Sequence, residues 1–314
     1  MKASFRSIVM AAALLAATSQ QAAAQTADPE ATLAAVRSQV KFSVLFGTTG
    51  ACKNIGQFSP CTETSDLVLL DPRTGNLIKR IGPVGYTVNG LAWDRRSLRL
   101  YASTSVGDVK FHGLITINPF TGKGTPVNPT VVNFGLPLGP GGPPGPACPA
   151  ATPLCRRSPI SAINIDASGH MVGWYNEFGP AGTTDTYVRI DQRSGIATEF
   201  GDTGIDTNRN GLSFGDFNLL WNIDSPKADP AGVITQTAYL LNPFDGKALL
   251  TKPLSPPTNA ALGDFLPWTN YYYGLNFDTP DAVSTFIVVV DPMAGTVTPL
   301  GQTVDNLHTI AFLP

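Results

Sequence analysis

Charge is scarce in this 314-residue chain: charged residues make up 14% of it, where a globular chain carries about a quarter. No block of Lys or Arg occurs and the net charge is −2, which excludes a phosphate-backbone binder of the nucleic-acid type. After residue 24 no apolar run comes near the roughly 20 residues that a bilayer core demands, so no membrane-spanning segment is expected there. Histidine is almost missing, with three in the whole chain, and cysteine is limited to four. The cysteine spacings do not fit the close pairs of a zinc site. Hydrophobic residues reach 43%, which rules out a disordered chain.

The first residues carry an address. Lys2 and Arg6 precede the apolar run Ile8–Ala17, and Ala22-Ala23-Ala24 follows. A charged start, a short apolar stretch and a small-residue cleavage site make residues 1–24 a secretory signal peptide, with a periplasmic or extracellular destination. Residues 25–40 then form an N-terminal segment ahead of the domain at 41–314. Cys52 and Cys61 lie in one loop, Cys148 and Cys155 in another. Four cysteines allow three connectivities, and in an oxidising compartment the two local pairs are the most economical.

The chain repeats itself. D-P-R-T-G from Asp71, N-P-F-T-G from Asn118, D-Q-R-S-G from Asp191, N-P-F-D-G from Asn242 and D-P-M-A-G from Asp291 are five versions of one turn. Asp or Asn bonds its own backbone, Pro presets φ, and Gly accepts positive φ, so each reads as a reversal between strands. The intervals are 47, 73, 51 and 49 residues. A second element keeps the same phase: G-L-A-W-D (90–94), I-N-I-D (163–166), L-S-F-G-D (212–216), L-G-D-F (262–265) and I-A-F-L (310–313). A third sets an aromatic in the next strand, at Phe46, Tyr101, Trp174 or Tyr175, Trp221 and Tyr273. Each period holds four strand candidates, in the second unit Asn89–Asp94, Leu98–Ser103, Gly113–Asn118 and Gly124–Pro129. Four strands per 40–50 residues is the arithmetic of a propeller blade.

On these three motifs the chain resembles the YVTN/YncE-like and WD40-like β-propeller superfamily. The fold class expected is therefore all-β, a five-bladed β-propeller over residues 41–314. The first unit, 41–82, lacks an inner strand, and the last ends on one at Asn306–Leu313. Inserting the C-terminal strand into the first blade closes the ring and removes its open edges. The long interval places a Pro- and Gly-rich excursion at 128–159.

Function is less legible. The inner strands bring Asn89, Asn164, Asn210, Asp264, Asn306 and His308 toward one channel mouth, an amide-rich set suited to hydrogen-bonded recognition. Asp264 with His308 is its one pair for proton transfer. Trp268 and Tyr271 stand outside the repeat and extend the candidate ligand site. Asp206, Asn208 and Asn210 form D-x-N-x-N-G, the front of a calcium loop, although Phe217 stands where its acidic twelfth residue belongs. No other cofactor is expected. Gly211–Gly215 spells G-x-S-x-G, but a strand rather than a helix follows.

The leading reading is a secreted or periplasmic propeller binding a small molecule, glycan or protein partner. The alternative is a glycosidase-like hydrolase at the channel mouth, since the fold is shared by five-bladed glycosidases and by a glutaminyl cyclase family. That chemistry needs two placed carboxyl groups. Asp94, Asp166 and Asp216 recur at one end of the repeat, which favours turn roles, and Ala92 stands where a cyclase-like glutamate would. A structural envelope or matrix protein is a third class.

Overall fold

The turn motif is built from its own side chains. In the first turn Asp71 accepts from the Arg73 amide at 2.9 Å and the Thr74 hydroxyl at 3.1 Å, and the Gly75 amide closes on the Asp71 carbonyl at 2.7 Å. Asn118, Asp191, Asn242 and Asp291 repeat the pattern. The five turn glycines, Gly75, Gly122, Gly195, Gly246 and Gly295, have φ between +73 and +79°. At Gly122 a second demand is added, because a Cβ there would lie 2.4 Å from the carbonyl oxygen of Gly82 on the preceding blade.

The computed structural model describes residues 28–40, 43–50, 64–104, 111, 113–136, 160–175, 184–207, 210–225, 227–228, 233–258, 260–276 and 284–314. The signal peptide expected at 1–24, all four cysteines, His112 and Asn208 lie outside the described residues, as does most of the 128–159 excursion.

Five antiparallel sheets form five blades. The first joins β1 (Val44–Thr49), β2 (Asp66–Leu70) and β3 (Leu77–Pro83) to the last strand, β21 (Leu307–Leu313), which takes the innermost place. The second runs β4 (Val88–Asp94), β5 (Arg99–Thr104), β6 (Leu114–Ile117) and β7 (Gly124–Pro126). The third is β8 (Ile160–Ile165), β9 (Met171–Tyr175), β10 (Thr186–Ile190) and β11 (Ala197–Asp202). The fourth is β12 (Asn210–Phe214), β13 (Leu220–Asp224), β15 (Ile234–Leu241) and β16 (Ala248–Leu254), with β14 (Lys227–Ala228) paired beside β15. The fifth is β17 (Ala260–Phe265), β18 (Tyr272–Asn276), β19 (Phe286–Asp291) and β20 (Thr296–Gln302). The five-bladed ring and its closure by the C-terminal strand are as the repeat implies. Phe46 sits opposite Ala311 and Leu45 opposite Phe312 in the closing pair.

The aromatic repeat needs one correction. Tyr101, Trp221, Tyr273 and Phe46 pair with Ala92, Ser213, Asp264 and Ala311. In the third blade the residue at that register is Val172, opposite Asn164. Trp174 lies two residues on, fully buried, its indole N–H donating to Asp185 at 2.9 Å. The small residue after each member (Gly47, Ala102, Gly173, Gly274, with Asn222 in the fourth blade) was the better marker of register.

A further periodic device was hidden in the sequence. In four blades a polar side chain at or near the start of the third strand accepts an amide from the chain leading into the next blade's inner strand. Ser65 takes Val88 N at 3.0 Å, Asp185 takes Thr207 N at 2.8 Å, Gln236 takes Thr258 N at 2.9 Å, and Thr285 takes Leu307 N at 3.2 Å. The four residues share only a hydrogen-bond acceptor, so no letter repeats.

The described part of segment 25–40, residues 28–40, contains one helix, α1 (Pro29–Gln39). Asp28 caps it by accepting from the Glu30 amide at 3.0 Å, and Pro29 occupies the first turn, where no amide partner is needed. Leu33, Val36 and Val40 join a cluster shared by the first and fifth blades, which includes Leu45, Leu70, Ile287 and Val289. The helix thus covers the closing seam. Among the described residues no helix is long and apolar enough to cross a membrane.

Gly122→Ala should lower stability by about 1–3 kcal/mol, from the positive φ and the forced approach together. Urea unfolding of the variant and its parent gives the difference, and an unchanged midpoint would refute the blade-to-blade contact.

Candidate functional site

Adjacent inner strands run alongside one another in the order β21, β4, β8, β12, β17 and back to β21. Early residues meet early ones: the Asn210 amide donates to the Ser161 hydroxyl at 2.9 Å, and His308 Nδ1 lies 3.2 Å from the Val88 carbonyl oxygen. Late residues meet late ones: Asn164, Ser213, Asp264 and Phe312 are joined by hydrogen bonds. The six residues expected at one mouth therefore divide between two ends. Asn89, Asn210, Asn306 and His308 lie at the starts of the inner strands, Asn164 and Asp264 near their finish. Asp264 touches β21 at Phe312, four residues from His308; at ~3.3 Å per residue that is roughly 13 Å. This pair does not exchange a proton.

Asp264 is the centre of a buried knot. Its Oδ1 accepts from Ser213 Oγ at 2.5 Å, from the Phe265 amide at 2.9 Å and from Asn164 Nδ2 at 3.2 Å. Its Oδ2 accepts from the Phe312 amide at 2.8 Å. One carboxyl group thus binds the third, fourth, fifth and first blades together. Burial pushes its pKa above the ordinary carboxylate value, more than these donors and the Arg95 charge pull it down. A bulge before Gly263 sets this geometry. Counted from the leading apolar residue of each inner strand, Gly263 should occupy the register of Asn164 and Ser213. The extra residue brings Asp264 there instead. Gly263 is obligatory, since a Cβ would stand 1.8 Å from the Tyr273 carbonyl oxygen.

The other carboxylates cap turns. Asp94 accepts from the Arg96 amide and the Ser97 hydroxyl, Asp166 from the Ser168 and His170 amides, and Asp216 from the Phe217 amide. Ser213, the serine of G-x-S-x-G, is buried mid-strand and donates to Asp264, with no elbow around it. Of the calcium-loop residues, Asp206 is exposed and Asn210 is buried, its side chain engaged by Ser161 and Thr207. Among the described residues no three His, Cys, Asp or Glu side chains gather as a metal-binding group.

The late end of the channel carries a different feature. The turns between first and second strands of four blades hold one another around the rim. Arg96 Nη1 donates to the Ser168 carbonyl oxygen, the Ala167 amide to Asn218 Oδ1 at 2.8 Å, and the Asp216 amide to the Thr269 carbonyl oxygen at 3.2 Å. The first blade has no such turn, because its inner strand is the chain's end. Across that gap the Arg95 guanidinium stacks on Trp268, 4.8 Å from the ring centre.

On this rim stand Leu98, Phe217 and Trp268, 70%, 80% and 74% exposed, with φ of 54, 54 and 64°. Bulky side chains rarely adopt that region. Phe120, 87% exposed, projects from a third-to-fourth-strand turn at the same end. Among the described residues these four are the large apolar side chains exposed by 70% or more. Tyr271 is half-buried beside the closing-seam core. Of these rim residues the sequence motifs single out Trp268, and not Leu98, Phe217 or Arg95. The available signal was a missing glycine: the third blade turns through D-A-S-G-H with Gly169 at φ +85°, whereas D-R-R-S-L, G-D-F-N and P-W-T-N have no glycine at the left-handed position.

No protein-family model matches this chain, and no curated protein does. Solved structures of similar fold include TolB from Acinetobacter baumannii, at 10% identity and TM-score 0.45 over 84% of this chain and 54% of that one. A gluconolactonase from Xanthomonas campestris aligns at 12% and 0.43 over 84% and 77%. A GH43 glycoside hydrolase aligns at 10% and 0.44 over 68% and 40%. This chain spans about half the length of TolB. The likeness is one of fold alone.

Asp264→Ala removes the acceptor of the Ser213 hydroxyl and the Phe312 N–H, and one of the two acceptors of the Asn164 amide, and should cost about 3 kcal/mol. Folding raises the pKa of this carboxyl, so its contribution to stability is full below the ordinary carboxylate range and falls as pH rises from there through the raised native value. The penalty of the substitution should shrink over the same window. Chemical unfolding across acidic and neutral pH tests both; a penalty that grows with pH would refute the sign.

Proposed function

We propose that this chain is an exported, non-catalytic recognition propeller that meets its partner with the rim at the late end of the channel. The observation that carries the reading is the placement of Leu98, Phe217 and Trp268. Each holds an unfavourable backbone conformation, costing about 1–2 kcal/mol, and none recovers that cost by burial. Strain kept at exposed positions is a mark of a functional surface. The acidic groups argue the same way from the other side. Asp264 is enclosed by structural donors and Asp94, Asp166 and Asp216 cap turns, so these four described carboxylates of the inner strands supply no pair for glycoside hydrolysis. Cleavage after residue 24, a periplasmic or extracellular location, and disulfides Cys52–Cys61 and Cys148–Cys155 belong to the same proposal.

Glycine relieves left-handed strain, so Phe217→Gly and Leu98→Gly should hold or raise the thermal midpoint, by up to ~1 kcal/mol in stability. A loss greater than that would make these side chains structural and remove the reading. Glycosides, esters and peptides incubated with the purified protein should not turn over. Turnover abolished by Asp264→Asn would put the hydrolase first.

A further inference from the structure

Resting on the reading of the rim as a recognition face, we propose that its partner is the surface of a lipid bilayer bearing anionic phosphate headgroups. The argument begins with the distribution of the apolar tips. Leu98 and Phe120 belong to the second blade, Phe217 to the fourth and Trp268 to the fifth, so they surround the channel end rather than line one hollow. A small ligand is wrapped from several sides, and a protein partner is held by anchors clustered at the interface centre. Separate tips on one end of a ring meet a broad, nearly planar partner.

The backbone of the tips fits such a partner. The Phe120 amide donates to Asn118 Oδ1 at 2.9 Å and the Phe217 amide to Asp216 Oδ1 at 2.9 Å. Chain entering the headgroup–acyl boundary loses water as a hydrogen-bonding partner, and turns that cap themselves lose least.

Charge is layered in the same sense. The carboxylates Asp94, Asp166 and Asp216 are turned back to accept turn amides and are buried or half-buried, and Asp191, exposed in a third-to-fourth-strand turn, also accepts the Arg193 amide. Arg73 and Arg99 are exposed on longer side chains at this end, whereas the Arg95 guanidinium is partly desolvated where it stacks on Trp268. Exposed guanidinium groups at the same end as exposed Trp and Phe are the composition that settles at a phosphate-bearing interface. The closed backbone ring beneath keeps the protein on the surface, as a peripheral rather than an inserted partner.

The test uses the purified protein with vesicles of phosphatidylcholine, alone or with a minority of phosphatidylglycerol. It should co-sediment with both and more strongly with the anionic ones. Trp268 serves as the reporter, since Trp174 and Trp221 are fully buried and Trp93 is half-buried. Its emission should shift to the blue and be quenched by brominated lipid. Phe120→Ser with Phe217→Ser should reduce partitioning about tenfold or more at unchanged thermal midpoint. Arg73→Gln with Arg99→Gln should reduce it about fivefold per residue on anionic vesicles only. No co-sedimentation, or co-sedimentation indifferent to the Phe pair, overturns the proposal. So does a glycan or protein that quenches Trp268 without lipid. Vesicle failure with a stable Phe217→Gly protein removes the bilayer and leaves the recognition face; collapse of Phe217→Gly removes both.

Discussion

Everything in this ring depends on the last strand entering the first sheet. β21 pairs along β1 from Val44 opposite Leu313 to Thr49 opposite Leu307, which supplies the innermost strand that the first blade lacks. Strand pairing alone would leave that insertion reversible, since a terminal strand is the easiest part of a sheet to release. Asp264 fastens it by accepting the Phe312 amide with the oxygen that its other partners do not use. From the far side Thr285 accepts the Leu307 amide, so β21 is held at both ends by side chains of the fifth blade. Helix α1 then covers the seam with Leu33, Val36 and Val40.

The same carboxyl group explains why the channel is a structural core at this level. Buried charge is expensive unless paired or hydrogen-bonded. Here four donors come from four blades, so the cost is offset only when all four are in register. A slipped strand or an opened ring would leave an unpartnered carboxylate in apolar surroundings. The knot therefore acts for specificity of closure as well as for stability.

What was legible in the sequence follows from what repeats by letter. The turns repeat by letter because a side-chain acceptor, a preset φ and a glycine at positive φ have few chemical solutions. The blade count and the closing strand came from that regularity. The acceptors at the heads of the third strands repeat by function only, and Ser65, Asp185, Gln236 and Thr285 share no letter. The bulge before Gly263 is one residue in length and moves Asp264 into the ring of Asn164 and Ser213, which a pattern aligned on apolar residues cannot show. The candidate site is hidden from the sequence for a topological reason. Parallel inner strands sort their residues by position along the strand, so Asn164 and Asp264 part from Asn89, Asn210, Asn306 and His308 although all six lie on inner strands or at their start.

Closure also accounts for the rim. A turn that bears Phe217 or Leu98 in the left-handed region would relax in a free hairpin, because the strain exceeds what one turn's hydrogen bonds return. Here the turns are tied to one another through Arg96, Asn218 and Thr269, and each is anchored to an inner strand that the ring fixes. The Arg95–Trp268 contact carries the circuit across the blade whose turn is replaced by the chain's end. The stability concentrated in the buried knot is thus what allows strained, exposed side chains to be held in fixed directions at the end of the channel, and a rim so held presents a surface to its partner without reordering.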